Sequence, residues 1–172
     1  MTDQFNIGDL ERRDIKRITN RHRVAIASVV LGFARLDTRL SDWIVQAFEM
    51  RHERGAMLIQ NMSIDNKIQR LIKLFEHEGP RSYATELKAR KKAMSPHYEV
   101  RNLICHAACL GTWAKDRDYL LFAPLNYIPG STGMAKVEAV SIQAVKLAAD
   151  WAETEAASYL FASGQHRSPS KA

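Results

Sequence analysis

Long apolar runs are missing from this sequence. No stretch approaches the ~18–20 consecutive apolar residues of a membrane span, so no membrane partner is expected. Cysteine is scarce: Cys105 and Cys109 are the two in 172 residues. Four residues apart on an expected helix, they suit neither a disulfide nor a zinc site, and read as small buried hydrophobes in a reducing compartment. Glycine and proline number 8 and 5. That disfavours turn-rich sandwiches and barrels and excludes collagen-like repeats. The opening Met1-Thr2-Asp3-Gln4 lacks a charged-then-apolar leader pattern, so the expected compartment is the cytoplasm.

What is present is ordinary globular composition, 46% hydrophobic and 26% charged. At ~100–200 residues per domain this fits one domain, residues 1–163, with a polar tail over 164–172. A chain of this size buries roughly 70% of its unfolded surface and needs no disulfide or metal staple. The net charge is +6, from 25 Lys+Arg against 19 Asp+Glu. Residues 61–110 hold nine basic and five acidic residues, so the surplus lies in the middle third. Such an excess suits a phosphate backbone.

Apolar residues recur at three and four from about Leu10 to Met50, predicting helix capped by Asp9, either one long helix or two with the break at Asn20. Val24 to Leu31 is nearly all apolar, which predicts burial on more than one side. After a connection over 50–62, Ser63 caps a helix with the stripe Ile64, Ile68, Leu71, Ile72 and Phe75, ended by Glu78-Gly79-Pro80. The next helix starts near Ser82 and carries the basic run Lys88, Arg90, Lys91, Lys92. Pro96 is expected to kink or restart it, and Gly111 to close it near Leu110. Tyr119–Phe122 and roughly Met134–Ala139 read as short strands around a Lys115–Asp118 turn. Ser141 caps a last helix through Val145, Leu147, Ala148, Trp151, Ala152, Leu160 and Phe161. The predicted fold class is mainly α: a four- to five-helix bundle with a small β-hairpin before the last helix.

One stretch carries chemistry: Glu99-Val100-Arg101-Asn102-Leu103-Ile104-Cys105-His106-Ala107. Near the end of a helix, Asn102 and His106 stack on one face, and Arg101 curls toward it from roughly 140° away. Leu103, Ile104 and Ala107 take the core side. Arginine offers a permanent charge and a planar fork for phosphate oxygens, and histidine moves a proton near neutral pH. Asparagine donates to a phosphate or orients the ring. A ribonucleic acid supplies its own nucleophile, the 2′-hydroxyl. One histidine does not conveniently serve as both base and acid, whereas two copies across a two-fold axis do. His97 and Glu99 lie a turn earlier.

Arg101-Asn102-Leu103-Ile104-Cys105-His106 resembles the Arg-x4–6-His motif of HEPN (higher eukaryotes and prokaryotes nucleotide-binding) domains, in the common form with Asn directly after the Arg. The resemblance implies a homodimeric, metal-independent endoribonuclease of single-stranded RNA, with no cofactor and a 2′,3′-cyclic phosphate or 3′-phosphate product. It implies a defence or toxin–antitoxin setting with a neutralising partner protein. By match, Arg101 and His106 are catalytic and Asn102 assists. Some members carry Tyr two residues after the His, where this chain has Ala108, so the resemblance does not extend to regulation through that tyrosine. Lys88, Lys91, Lys92 and His97 are the expected RNA-binding residues. Other members only bind RNA, nucleotides or protein partners, which is the alternative function. The plain structural reading makes Arg101 a surface or interface arginine paired with Glu99 or Asp118, and His106 a hydrogen-bonded core or interface histidine. His22, His52, His77 and His166 read as solvated or helix-end residues, Trp43 and Trp151 as core, and Trp113 as packed under the hairpin.

Overall fold

The computed structural model describes residues 12–124 and 137–165. After a 3-10 turn at Arg12–Asp14, the elements in chain order are β1 (Ile15–Lys16), α1 (Asn20–Ala47), α2 (His52–Ile59), α3 (Ile64–His77), α4 (Arg81–His106), β2 (Ala107–Trp113), β3 (Tyr119–Pro124), β4 (Glu138–Ser141) and α5 (Ile142–Gln165). The fold is mainly α with a small antiparallel sheet, as the patterning predicts. The chain divides into two compact units. One comprises residues 1–31 and 96–151, the other residues 32–95 and 152–172.

The second unit is the purely helical one. Ser63 caps α3 as expected, its hydroxyl oxygen accepting from the Asn66 amide at 3.2 Å. The predicted stripe Ile64, Ile68, Leu71, Ile72 and Phe75 is buried, with Phe33, Leu36, Leu40, Trp43 and Ile44 of α1. Fully burying each such large apolar side chain contributes roughly 1.5–3 kcal/mol. Phe75 lies between Trp43 and Tyr83, at ring-centroid distances of 5.6 and 5.3 Å. Lys67 is buried at 2% exposure, and its ammonium donates to both carboxylate oxygens of Asp37 at 2.7 and 2.8 Å.

The first unit holds the sheet, in order β1-β2-β3-β4. Ile15 pairs with Trp113 and Lys16 with Thr112; Leu120 and Leu121 of β3 pair with Val140 and Ala139 of β4. Leu121, Ala123, Val137 and Ala139 form a buried cluster, with Ile15, Leu110, Trp113 and Tyr119 half-buried against it. Ser141 caps α5 as predicted, accepting from the Ala144 amide at 3.1 Å.

Several boundaries differ from the sequence pattern. The first helix starts at Asn20, because Ile15 and Lys16 are taken by β1. Thr19 and His22 then close the helix start: the Thr19 amide and hydroxyl reach His22 Nδ1 at 3.2 and 2.7 Å. His22 is therefore buried rather than solvated, and its Nε2 donates to the Arg117 carbonyl at 2.9 Å. From Asn20 on, α1 is one helix of 28 residues. The 50–62 connection contains α2. Helix α4 continues through Pro96 as a single 26-residue element. One lost backbone donor does not break a helix held by buried Met94 and Val100 on either side. The helix ends at His106, earlier than expected, and Gly111 lies inside β2 instead of closing a helix. The predicted strand at 134–139 is β4, shifted to 138–141, with 134–136 outside the described residues. Asp9, His166 and residues 166–172 also lie outside them, as do the side chains of Leu160 and Phe161. Gly164 and Gln165 belong to α5.

Gly111 sits at a register shift between β2 and β3, with φ of +146°. A Cβ there would lie 2.4 Å from the Lys16 carbonyl oxygen of β1. Only glycine meets both demands at once. Gly111→Ala is expected to destabilise the protein by about 2 kcal/mol or more, read as a lower urea midpoint. Unchanged stability would show that β1 does not press on this position.

Candidate functional site

The site is built at the C-terminal end of α4, within the first unit. Val100 is buried and anchors this turn, while Arg101, Asn102, Leu103 and Ile104 are half-buried and His106 is exposed. Leu103 and Ile104 thus take the core side only in part. The three expected residues meet. Arg101 Nη1 donates to Asn102 Oδ1 at 2.9 Å and lies 3.4 Å from His106 Nε2. Its guanidinium also stands over the Tyr98 ring, 5.7 Å from the centroid.

Each contact has a consequence. Guanidinium has no acceptor, so in the Arg101–His106 contact Nε2 is the accepting atom and the ring proton sits on Nδ1. Asn102 and Tyr98 hold the guanidinium from two sides, so one Nη remains aimed at the imidazole. Tyr98 went unsingled in the sequence, although its place three residues before Arg101 on a helix is the signal for such a contact. Asp118, one expected ion-pair partner of Arg101, is bound to Arg21 instead. The core half of the other reading of His106, a core or interface histidine, does not hold, because the residue is exposed.

The remaining predicted residues divide. His97 belongs to the same unit and is half-buried, stacked on Trp151 at 5.2 Å with the rings 16° apart. Lys88, Lys91 and Lys92 belong to the other unit. Lys88 pairs with Glu76 at 2.5 Å, and that hydrogen bond holds the Glu76 carboxyl below its ordinary range. Lys91 pairs with Asp65 at 3.1 Å and with Gln69 at 3.0 Å. Lys92 is exposed. Two of the three lysines therefore already have carboxylate partners.

The cysteines flank the helix end and are both exposed, contrary to the buried reading. Cys105 lies in the last turn of α4 and Cys109 in β2, and neither is covered. Surrounding protein nonetheless desolvates the Cys109 thiol and raises its pKa, opposed by a hydrogen bond with the Gly111 backbone. Trp113 is half-buried, set edge-on to Tyr119 at 6.5 Å, in keeping with the expected packing role. Among the described residues, no group of three or more His, Cys, Asp or Glu side chains is arranged to hold a metal ion. No described helix is long and apolar enough to cross a membrane.

Desolvation beside Trp151 lowers the pKa of His97 below its ordinary value of 6.5. The unfolded chain therefore binds this proton more readily than the folded one, and stability falls as pH drops through and below about 6.5. His97→Phe keeps a ring against Trp151 and removes the titration. Between pH 7.5 and 5.5 the wild type is expected to lose more thermal stability than His97→Phe. Equal losses would remove His97 from the acid response. No protein-family model, no curated protein and no solved structure matches this chain.

Proposed function

We propose that the protein is a metal-independent endoribonuclease of the HEPN type, acting on single-stranded RNA as a homodimer in the cytoplasm. The observation that carries this reading is the cluster at the exposed end of α4: Arg101 Nη1 within 3.4 Å of His106 Nε2 and 2.9 Å of Asn102 Oδ1. An incoming phosphate is a stronger acceptor than imidazole and draws the guanidinium to its own oxygens. That frees the Nε2 lone pair to take the proton of the neighbouring 2′-hydroxyl. The 2′-oxygen attacks phosphorus, Arg101 stabilises the charge of the phosphorane, and the 5′-oxygen leaves with a proton from the imidazolium of a second copy. The product ends in a 2′,3′-cyclic phosphate. Asn102 acts as a positioning residue by holding Arg101. A defence or toxin–antitoxin setting, with a neutralising partner protein, belongs to the same reading.

The test is the purified protein with labelled single-stranded RNA in EDTA. Cleavage is expected to fall at least about 100-fold, the scale of one lost proton-transfer or charge-stabilising group, in both Arg101→Ala and His106→Ala. Folding and oligomeric state are expected to be unchanged. Wild-type binding without product would favour the catalytically silent module; cleavage unchanged in both variants would refute the site.

A homodimer is supported by an apolar face that the isolated chain leaves open. Val24 and Leu31 of α1, about 20° apart around the helix, are both 57% exposed, in the unit that carries the motif. The sequence predicts burial on more than one side here, and the described residues do not provide it. Patches of this kind mark interaction surfaces. Leu31→Glu is expected to convert the dimer to a monomer in light scattering and to abolish cleavage at low protein concentration. A dimer that persists in Leu31→Glu would place the interface elsewhere.

A further inference from the structure

Arg13, Lys16 and Arg17 lie about 100 residues from Lys115 and Arg117 in the sequence, yet the sheet brings them to one corner. Lys16 pairs with Thr112 across β1 and β2. The Asp14 carbonyl accepts from the Ala114 amide at 2.8 Å, and the Arg17 carbonyl accepts from the Arg117 guanidinium at 3.3 Å. Lys115 extends its ammonium over the Trp113 ring, 5.6 Å from the centroid, which restrains a side chain otherwise free to swing. Lys16, Arg17, Lys115 and Arg117 are all exposed. Among the described residues, the acidic ones at this corner are Asp14, Asp116 and Asp118. Asp118 is neutralised by Arg21, and Asp116 Oδ1 accepts the Asp118 amide at 2.9 Å, which shapes the turn. The corner keeps a net positive charge, in contrast to Lys88 and Lys91, whose charges are paired.

We infer that this corner is a second anchoring point for single-stranded RNA, holding the phosphate backbone at a set distance from His106. Strand β2 is the ruler. It begins directly after His106 and ends at Trp113, seven residues later. At ~3.3 Å per residue, the corner lies about 20 Å from the imidazole. A stacked strand rising ~3.4 Å per nucleotide covers that distance in about six nucleotides. The inference rests on the ribonuclease reading for the position of the scissile bond. The corner itself requires only a polyanion of sufficient length.

The experiment compares a 20-nucleotide with a 4-nucleotide single-stranded RNA, fluorescein-labelled, bound to the full chain carrying His106→Ala. The corner is tested by adding Lys16→Ser/Lys115→Ser, with Arg117→Ser as a separate variant and circular dichroism as the folding control. The double substitution is expected to weaken the 20-mer at least about tenfold at low salt and leave the 4-mer unchanged. Each cation removed is expected to reduce the slope of log affinity against log salt by about 0.7, the single-strand value. Unchanged 20-mer affinity, or equal losses for both lengths, would overturn the inference. So would polyglutamate that binds as tightly as the 20-mer and responds to the same substitutions, because the corner would then be an acidic-protein dock. Length-dependent binding with no cleavage by wild type leaves the corner standing and removes the nuclease. Cleavage of long RNA that ignores the corner does the reverse.

Discussion

The peptide bond between His106 and Ala107 is the constraint on which the candidate site depends. Helix α4 ends and β2 begins across it with no connecting loop. The last turns of a helix ordinarily fray, because their carbonyls lack intrahelical partners. Here the following residue is already committed to a strand paired with β3 on one side, and further along with β1 on the other. The pairing holds the helix end in register with the sheet. Arg101, Asn102 and His106 keep their mutual distances although His106 is exposed. Gly111 is the complement of this arrangement: its positive φ lets β2 shift register and pass close to the Lys16 carbonyl, which completes the inner strand of the sheet.

Where local signals were strong, the sequence was a good guide. Ser63 and Ser141 cap the helices they were expected to cap, and the α3 stripe is buried throughout. The motif on α4 converges as its spacing requires, since residues four and five apart on one helix have few other places to be. The failures at the sheet involve partners distant in the chain. Ile15 and Ile18 fit a helical period, but Trp113 and Thr112 draw Ile15 and Lys16 into a strand. Ala107–Leu110 continues the apolar pattern of α4 yet pairs with Pro124, Ala123 and Phe122. A run of small apolar residues fits either state, and strand pairing decides. His22 is a helix-end residue as expected but not a solvated one, because the Arg117 carbonyl that helps bury it lies far along the chain.

Charge shows the same dependence. The basic run on α4 is conspicuous in the sequence because its members are adjacent, whereas their carboxylate partners, Glu76 and Asp65, lie on a different helix. Exposed pairs of this sort add little stability, with a median of about 0–1 kcal/mol, but they lower the field available to a polyanion. The positive corner of the sheet has the opposite history. Its cations are scattered through two segments that the sequence does not relate. Local charge density in a sequence is thus a poor measure of surface potential when an oppositely charged helix packs alongside.

The open face of α1 joins the chemical argument to the structural one. Val24, Ala27 and Leu31 project within about 60° of one another on the helix, opposite buried Ala25 and Val29. An apolar pattern on both sides of a helix calls for two packing partners, and the described residues of its own unit supply one. The proposed reaction would separately call for two imidazoles, one accepting and one giving a proton, and one copy of the motif supplies one of those. On the proposed reading both deficits lie in the same unit, and a second copy of that unit would meet both. An unrelated protein covering the α1 face would satisfy the packing and leave the proton transfer incomplete. Self-association is therefore the more economical account of why Val24 and Leu31 are apolar at all, since polar residues there would cost the isolated chain almost nothing.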